Sequence, residues 1–299
     1  MTALALSLSL LLTLAEQPQP AAKPQTAAKP QTAAKPQPQP AGEPQVYKSV
    51  DGRELKLWVS KPADWAATDR RPAMVWFHGG GWTGGDPSSL NRQATYLASR
   101  GMVCVLVQYR LLGAGEDPTK CIQDARSAMR WVRAHAAELG IDPARLGAGG
   151  GSAGGHLAAH CGLVKGVDDP ADDLTVSCRP DALVMFNPVI DNGPGGYGAA
   201  RVGDKYPTLS PAHNLSADDP PMVIFLGTKD ALIPVRTIEN LAAELAKLGV
   251  RCDTHFYEGA AHGFYHQTKY QTLTLIEADR FLASLGWISG EPTLSEPAQ

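Results

Sequence analysis

The sequence predicts an α/β fold: a mostly parallel, doubly wound sheet with helices on both faces. Three observations predict it. Short apolar runs that are almost uninterrupted recur along the chain, as strands do when both faces of a parallel sheet are covered. Segments of helical periodicity alternate with those runs rather than clustering apart from them. The stretch RLGAGGGSAGGHLAA (145–159) sets one serine among six glycines, where a strand passes into a helix.

In chain order, MTALALSLSLLLTLA (1–15) is leucine-rich, too short to span a bilayer as a helix, and ends in the small residues Thr13 and Ala15. It reads as a secretory signal peptide, although no Lys or Arg precedes it. The next segment, 16–45, repeats AAKPQT at 21–26 and 27–32 and continues with AAKPQP, without a bulky apolar side chain to bury. Such a segment cannot offset its ordering entropy, which predicts an extended, disordered Pro-rich linker. The folded domain is expected over 46–288. AMVWF (73–77), MVCVLVQY (102–109), ALVMF (182–186) and MVIFL (222–226) read as buried strands.

Between them, Ile122, Ala125, Met129, Val132, Ala136 and Leu139 fall on one face of a helix expected to stop at Gly140. Ile238, Leu241, Ala242, Leu245 and Leu248 repeat the pattern between Pro234 and Gly249. Leu275, Ala278, Phe281, Leu282 and Leu285 predict a last helix ending at Gly286, followed by a loose polar tail over 289–299. The chain is 43% hydrophobic and 19% charged, with formal net charge −3 and dispersed basic residues, so a nucleic-acid partner and stable membrane insertion are not expected. The five cysteines lack metal-ligand spacing, so no metal is expected. Cys104 reads as strand core, while export would permit Cys121 to pair with Cys161 or Cys178.

The glycine-rich junction contains Gly150-Gly151-Ser152-Ala153-Gly154, a G-x-S-x-G pattern in which a sharp, strained turn lifts the serine hydroxyl clear of the sheet. Gly150 and Gly154 are expected where a Cβ would collide as strand and helix pass. A glycine-rich turn matches this pattern easily, but no Lys-Ser/Thr pair follows as in a phosphate-binding loop, and G-x-G-x-x-G is absent. More telling is His78-Gly79-Gly80-Gly81-Trp82 directly after AMVWF. Its missing side chains free backbone N–H groups for a developing oxyanion. Gly80, Gly81 and Ala153 are the candidate donors, and the letters leave open whether Gly81 or Trp82 supplies the second.

A serine hydroxyl becomes a good nucleophile only when a base takes its proton, and that base needs an orienting carboxylate. MVIFLGTKD leads to Asp230, and CDTHFYEGAAHGF leads to His262. Of the other histidines, His135, His160 and His266 lie in helical or exposed context, His255 in a strand and His213 in a loop. His78 and His156 are read as holding loop geometry.

HGGGW, GGSAGGH, GTKDALIPV and GAAHGF together resemble the α/β-hydrolase superfamily, in particular its lipase/esterase-like group, including hormone-sensitive-lipase-type carboxylesterases and feruloyl and acetyl-xylan esterases. The likeness covers about Val46 to Gly286. It implies Ser152 as nucleophile, His262 as base, Asp230 as its orienter, and no metal or organic cofactor. Many relatives of hormone-sensitive lipase carry a helical cap, whereas here a Pro-rich linker and two short strands precede the sheet. No large cap domain is therefore expected, and the loops 165–181 and 191–221 are left to shape an open site. Trp82 and Phe264 are the expected substrate contacts, with Tyr197, Tyr206 and Tyr265 as further candidates. The substrate expected is a short-chain or polysaccharide-linked (acetyl or feruloyl) ester. The alternatives are a peptidase of the prolyl-oligopeptidase type and a non-catalytic binding module.

Overall fold

The structure is a computed structural model that describes residues 38–297; the expected signal peptide and most of the expected linker lie outside the described residues. Strands β1 (Glu43–Val50), β2 (Arg53–Ser60), β3 (Arg71–Phe77), β4 (Val103–Val107), β5 (Ile141–Gly151), β6 (Leu183–Phe186), β7 (Met222–Gly227) and β8 (Cys252–Tyr257) form one sheet in the order β1-β2-β4-β3-β5-β6-β7-β8. The pairs β1/β2 and β2/β4 are antiparallel and the rest parallel.

Helices α1 (Asn91–Ser99), α2 (Thr119–Ala134), α3 (Ala153–Leu163), α6 (Val235–Lys247) and α7 (Thr268–Ser284) cover the sheet; α4 (Ala199–Val202) and α5 (Tyr206–Leu209) are single turns. Alternation along the strands divides the core in two. Ala73, Val75 and Phe77 of β3 face one cluster with α2, α3 and α6, whereas Met74 and Trp76 face the other with α1 and α7.

The chain leaves β3 for β4 on one side and returns to β5 on the other, so the order reverses between β3 and β5. In open α/β sheets the crevice at the carboxyl ends beside such a switch point is where ligands bind. The loop after β3 and the turn after β5 both lie there.

Several boundaries differ from the sequence reading. Strand β1 begins at Glu43, and the chain is held earlier still by Ala41 N–H donating to Asn91 Oδ1 (2.8 Å) and Asn91 Nδ2 to the Gln39 carbonyl (2.9 Å). In both bonds this segment offers only its backbone, to a side chain distant in sequence, which its own composition does not record. The described part of the tail, 289–297, is likewise anchored: Arg100 donates to the carbonyls of Ser289 and Gly290, both at 3.0 Å, and Leu294 packs on the α1/α7 core.

Helix α2 ends at Ala134, and Ala136 and Leu139 stay buried in the turns before Gly140. All five cysteines are free thiols; Cys121 instead donates to the Arg110 carbonyl at 3.0 Å.

Candidate active site

Ser152 stands between β5 and α3 at φ +53°, ψ −118°, a conformation costing a non-glycine residue about 1–3 kcal/mol. Its backbone is held on both sides. The N–H donates to the Phe186 carbonyl (2.9 Å), and the carbonyl accepts from the N–H groups of His156 (3.0 Å) and Val189 (3.1 Å). A Cβ on Gly150 or Gly154 would collide with the Phe77 carbonyl, so the tight crossing of β5 and α3 over β3 requires glycine at both.

Asp230 follows β7 and His262 follows β8. His262 Nδ1 lies 2.7 Å from Asp230 Oδ2, and Nε2 lies 2.9 Å from Ser152 Oγ. Because Nδ1 faces a carboxylate it carries the proton, which leaves Nε2 to accept from the serine hydroxyl. The Asp230 side chain is fully buried, and Oδ1 accepts from the N–H groups of Leu232 (2.8 Å) and Ile233 (2.9 Å). Burial works against its charge. The bonds from His262, Ile233 and Leu232 outweigh that and hold the carboxyl below its usual range.

On the other side of Ser152, Gly80 (φ +120°) and Gly81 (φ +60°) form the loop after β3, which positive φ and the close passage of Gly84 behind Gly80 reserve for glycine. No backbone carbonyl accepts from Gly80, Gly81 or Ala153. His78 anchors the loop: its Nδ1 lies 2.8 Å from the Gly79 carbonyl, its ring stacks on Tyr109 at 4.2 Å, and its carbonyl accepts from Tyr109 Oη at 2.7 Å. Burial lowers its pKa against the Gly79 bond, which favours the neutral ring. The cavity beside these groups, about 410 Å³, is bordered by Gly80, Gly81, Ser152, Asn187, Tyr197 and His262, among others.

Two expected substrate contacts are displaced. Trp82 is buried, with φ +62° turning its indole away from the cavity and edge-on to His156 at 5.2 Å. Phe264 is fully buried against Tyr257 and Tyr270 and is core. Of the other aromatic candidates, Tyr197 and Tyr265 border the cavity, whereas Tyr206 packs on His213.

The loop 165–181 does not border the cavity. Its Asp168 and Asp172 pair with Arg126 and Arg130 of α2. The segment 191–221 does contribute, and His156 and His160 of α3 bind it through the carbonyls of Leu209 (2.8 Å) and Thr208 (3.2 Å).

Asn187 is a site residue that the sequence reading missed. Fully buried at φ +35°, it accepts from Gly263 N–H (3.2 Å) and places Nδ2 3.4 Å from His262 Nε2. Its signal was positional: it directly follows the apolar strand β6, at the same carboxyl end of the sheet as the loops that carry Asp230 and His262. Among the described residues no group of three or more His, Cys, Asp or Glu side chains could hold a metal ion.

The BD-FAE family profile matches residues 62–194, and that of the prolyl oligopeptidase family matches 189–285. Esterase 2 of Thermogutta terrifontis, in a structure phosphoramylated by tabun, is 42% identical, with a TM-score of 0.81 over 85% of this chain and 98% of that one. Its propionate-bound form is 41% identical, with a TM-score of 0.80 over 84% and 97%. The probable carboxylic ester hydrolase LipM of Mycobacterium tuberculosis is 28% identical over 66% of this chain and 50% of its own. The chain spans about half the length of the curated relatives it matches. It belongs to the α/β-hydrolase superfamily, in the lipase/esterase-like group of serine hydrolases, which comprises carboxylic ester hydrolases.

Proposed function

We propose that the protein is an exported serine esterase hydrolysing short-chain or polysaccharide-linked (acetyl or feruloyl) carboxylic esters. The observation that carries the esterase reading is the hydrogen-bonded chain from Ser152 Oγ to His262 Nε2 (2.9 Å) and from His262 Nδ1 to Asp230 (2.7 Å), beside unpaired backbone N–H groups. Export rests on the leucine-rich run and the Pro-rich repeat. The propionate-bound relative supports a short acyl group.

In this mechanism Ser152 Oγ attacks the ester carbonyl carbon while His262 Nε2 takes its proton. The carbonyl oxygen becomes an oxyanion facing the N–H groups of Gly80, Gly81 and Ala153; Gly81 borders the cavity and Trp82 does not, which supports Gly81 as the second donor. Collapse breaks the bond to the alcohol oxygen, which takes the proton from His262. Water, deprotonated by the same nitrogen, then releases the acid and restores Ser152. Asp230, kept ionised by its hydrogen bonds, stabilises the transient imidazolium.

The test is hydrolysis of p-nitrophenyl acetate, butyrate and octanoate, with Ser152→Ala in parallel. The expected result is preference for the short chains and a fall in kcat of about 10⁴–10⁶ in the variant. Equal rates for both proteins would remove the esterase reading.

A second reading, peptide hydrolysis, is favoured by the prolyl oligopeptidase match over 189–285, the part that carries Asp230 and His262. The same geometry attacks an amide. Cleavage of a prolyl peptide amide faster than of p-nitrophenyl acetate would establish it.

A further inference from the structure

A second cleft, of about 510 Å³, opens beside the catalytic cavity, and the two share Tyr197 and Leu232 as a common wall. Leu232 is 43% exposed, and its N–H is fixed to Asp230 Oδ1. Tyr197 is half-buried against Trp82, and its carbonyl accepts from Asn192 Nδ2 at 2.8 Å. Its hydroxyl lies 3.4 Å from where a Cβ on Gly81 would stand. The wall is thus bonded at one end to Asp230 and lies at the other against the loop that carries Gly81.

Beyond that wall the cleft presents hydrogen-bonding side chains on Asp191, Arg236, Thr237 and Asn240 and apolar surface on Leu215 and Ile233. Arg236, Thr237 and Asn240 lie on the first two turns of α6, one rigid element. Nothing in the chemistry at Ser152 uses them.

We propose that this cleft is the subsite for the alcohol portion of the ester, selecting alcohols rich in hydrogen-bonding groups over apolar alcohols of equal size. The proposal rests on the esterase reading above. With the carbonyl oxygen against Gly80, Gly81 and Ala153, the leaving oxygen must face His262 Nε2, which protonates it. Leu232 borders both the cavity that holds His262 and the cleft, so a substituent on the leaving oxygen that extends along Leu232 reaches the cleft. An apolar alcohol would displace water from Asp191 and Asn240 without replacing its hydrogen bonds, whereas a polyhydroxylated one replaces them.

The test uses three acetates with the same acyl group: methyl acetate, cyclohexylmethyl acetate and a methyl 6-O-acetylhexoside. Wild type is expected to favour the acetylhexoside over cyclohexylmethyl acetate by about tenfold or more in kcat/KM. Asn240→Leu should cut that preference about three- to tenfold, the worth of one hydrogen bond. Asn240→Trp, which fills the cleft from an exposed position, should lower kcat/KM for both bulky acetates relative to methyl acetate. Thermal melts of both variants establish that they fold.

Wild type without preference between the two bulky acetates, or variants that leave their ratios unchanged, would overturn the proposal. So would a variant effect that follows acyl length, in methyl acetate against methyl octanoate, instead of the alcohol. Failure of the esterase reading itself looks different: wild type then turns over methyl acetate no faster than Ser152→Ala.

Discussion

Asn187 holds His262 from the side opposite Asp230, and it does so from a left-handed backbone conformation that asparagine tolerates better than most residues. Asn187→Ala removes both its contact with His262 and the acceptor for Gly263 N–H. With His262 as the proposed base, steady-state kinetics on p-nitrophenyl butyrate should show kcat lower by about tenfold or more with KM little changed, because the loss falls on the orientation of its ring. An unaltered kcat would show that the contact plays no part. Ser152, Asp230 and His262, which the structure brings within hydrogen-bond distance of one another in a chain, stood out because each lies in a recognisable motif after a strand, whereas Asn187 ends its strand with no motif around it. Trp82 and Phe264 were misread for a different reason: the letter records an aromatic ring in a loop but not the backbone and packing that bury it, φ +62° for Trp82 and the contacts with Tyr257 and Tyr270 for Phe264.

At the scale of elements, α2 is tied to the antiparallel edge of the sheet through a carboxylate. The Asp124 side chain, fully buried, accepts from Arg110 N–H (2.9 Å), Nε (2.8 Å) and Nη2 (2.9 Å) and pairs with Lys48 of β1 at 2.8 Å. Asp124→Asn keeps the shape and leaves two cations under-compensated, so urea unfolding should show a loss of about 3–5 kcal/mol. A loss below about 1 kcal/mol would mean that Asp169, also paired with Lys48, compensates. The strands β3, β4, β6 and β7 were readable because continuous burial makes continuous apolar runs. The start of β1 and the anchored tail were not, since backbone carbonyls and N–H groups fix them. The role of 165–181 was misplaced because ion pairs to Arg126 and Arg130, distant in sequence, draw it to α2.

For the whole molecule, burial of neutral histidines contributes to the loss of stability in acid. His78, His156 and His160 all have lowered pKa values, caused chiefly by burial, with His156 brought from 6.5 to about 4. The unfolded chain therefore binds protons that the folded one refuses, so stability is present above pH 6.5 and declines as pH falls from about 6.5 toward 4. Asp230, held below its usual range, adds a loss at still lower pH. Urea midpoints across this window should fall with acidification, and His156→Leu should flatten the fall; an equal slope would contradict the assignment. The order reversal between β3 and β5 brings the loop after β3 and Ser152 to one crevice, and the loops after β7 and β8 bring Asp230 and His262 to it. The most direct test of Ser152 as nucleophile is mass spectrometry after exposure to a fluorophosphonate, in which the serine oxygen displaces fluoride from phosphorus. One adduct per chain, mapped to Ser152 and absent in Ser152→Ala, is expected; an adduct on another residue, or none in a chain that still hydrolyses esters, would contradict the account.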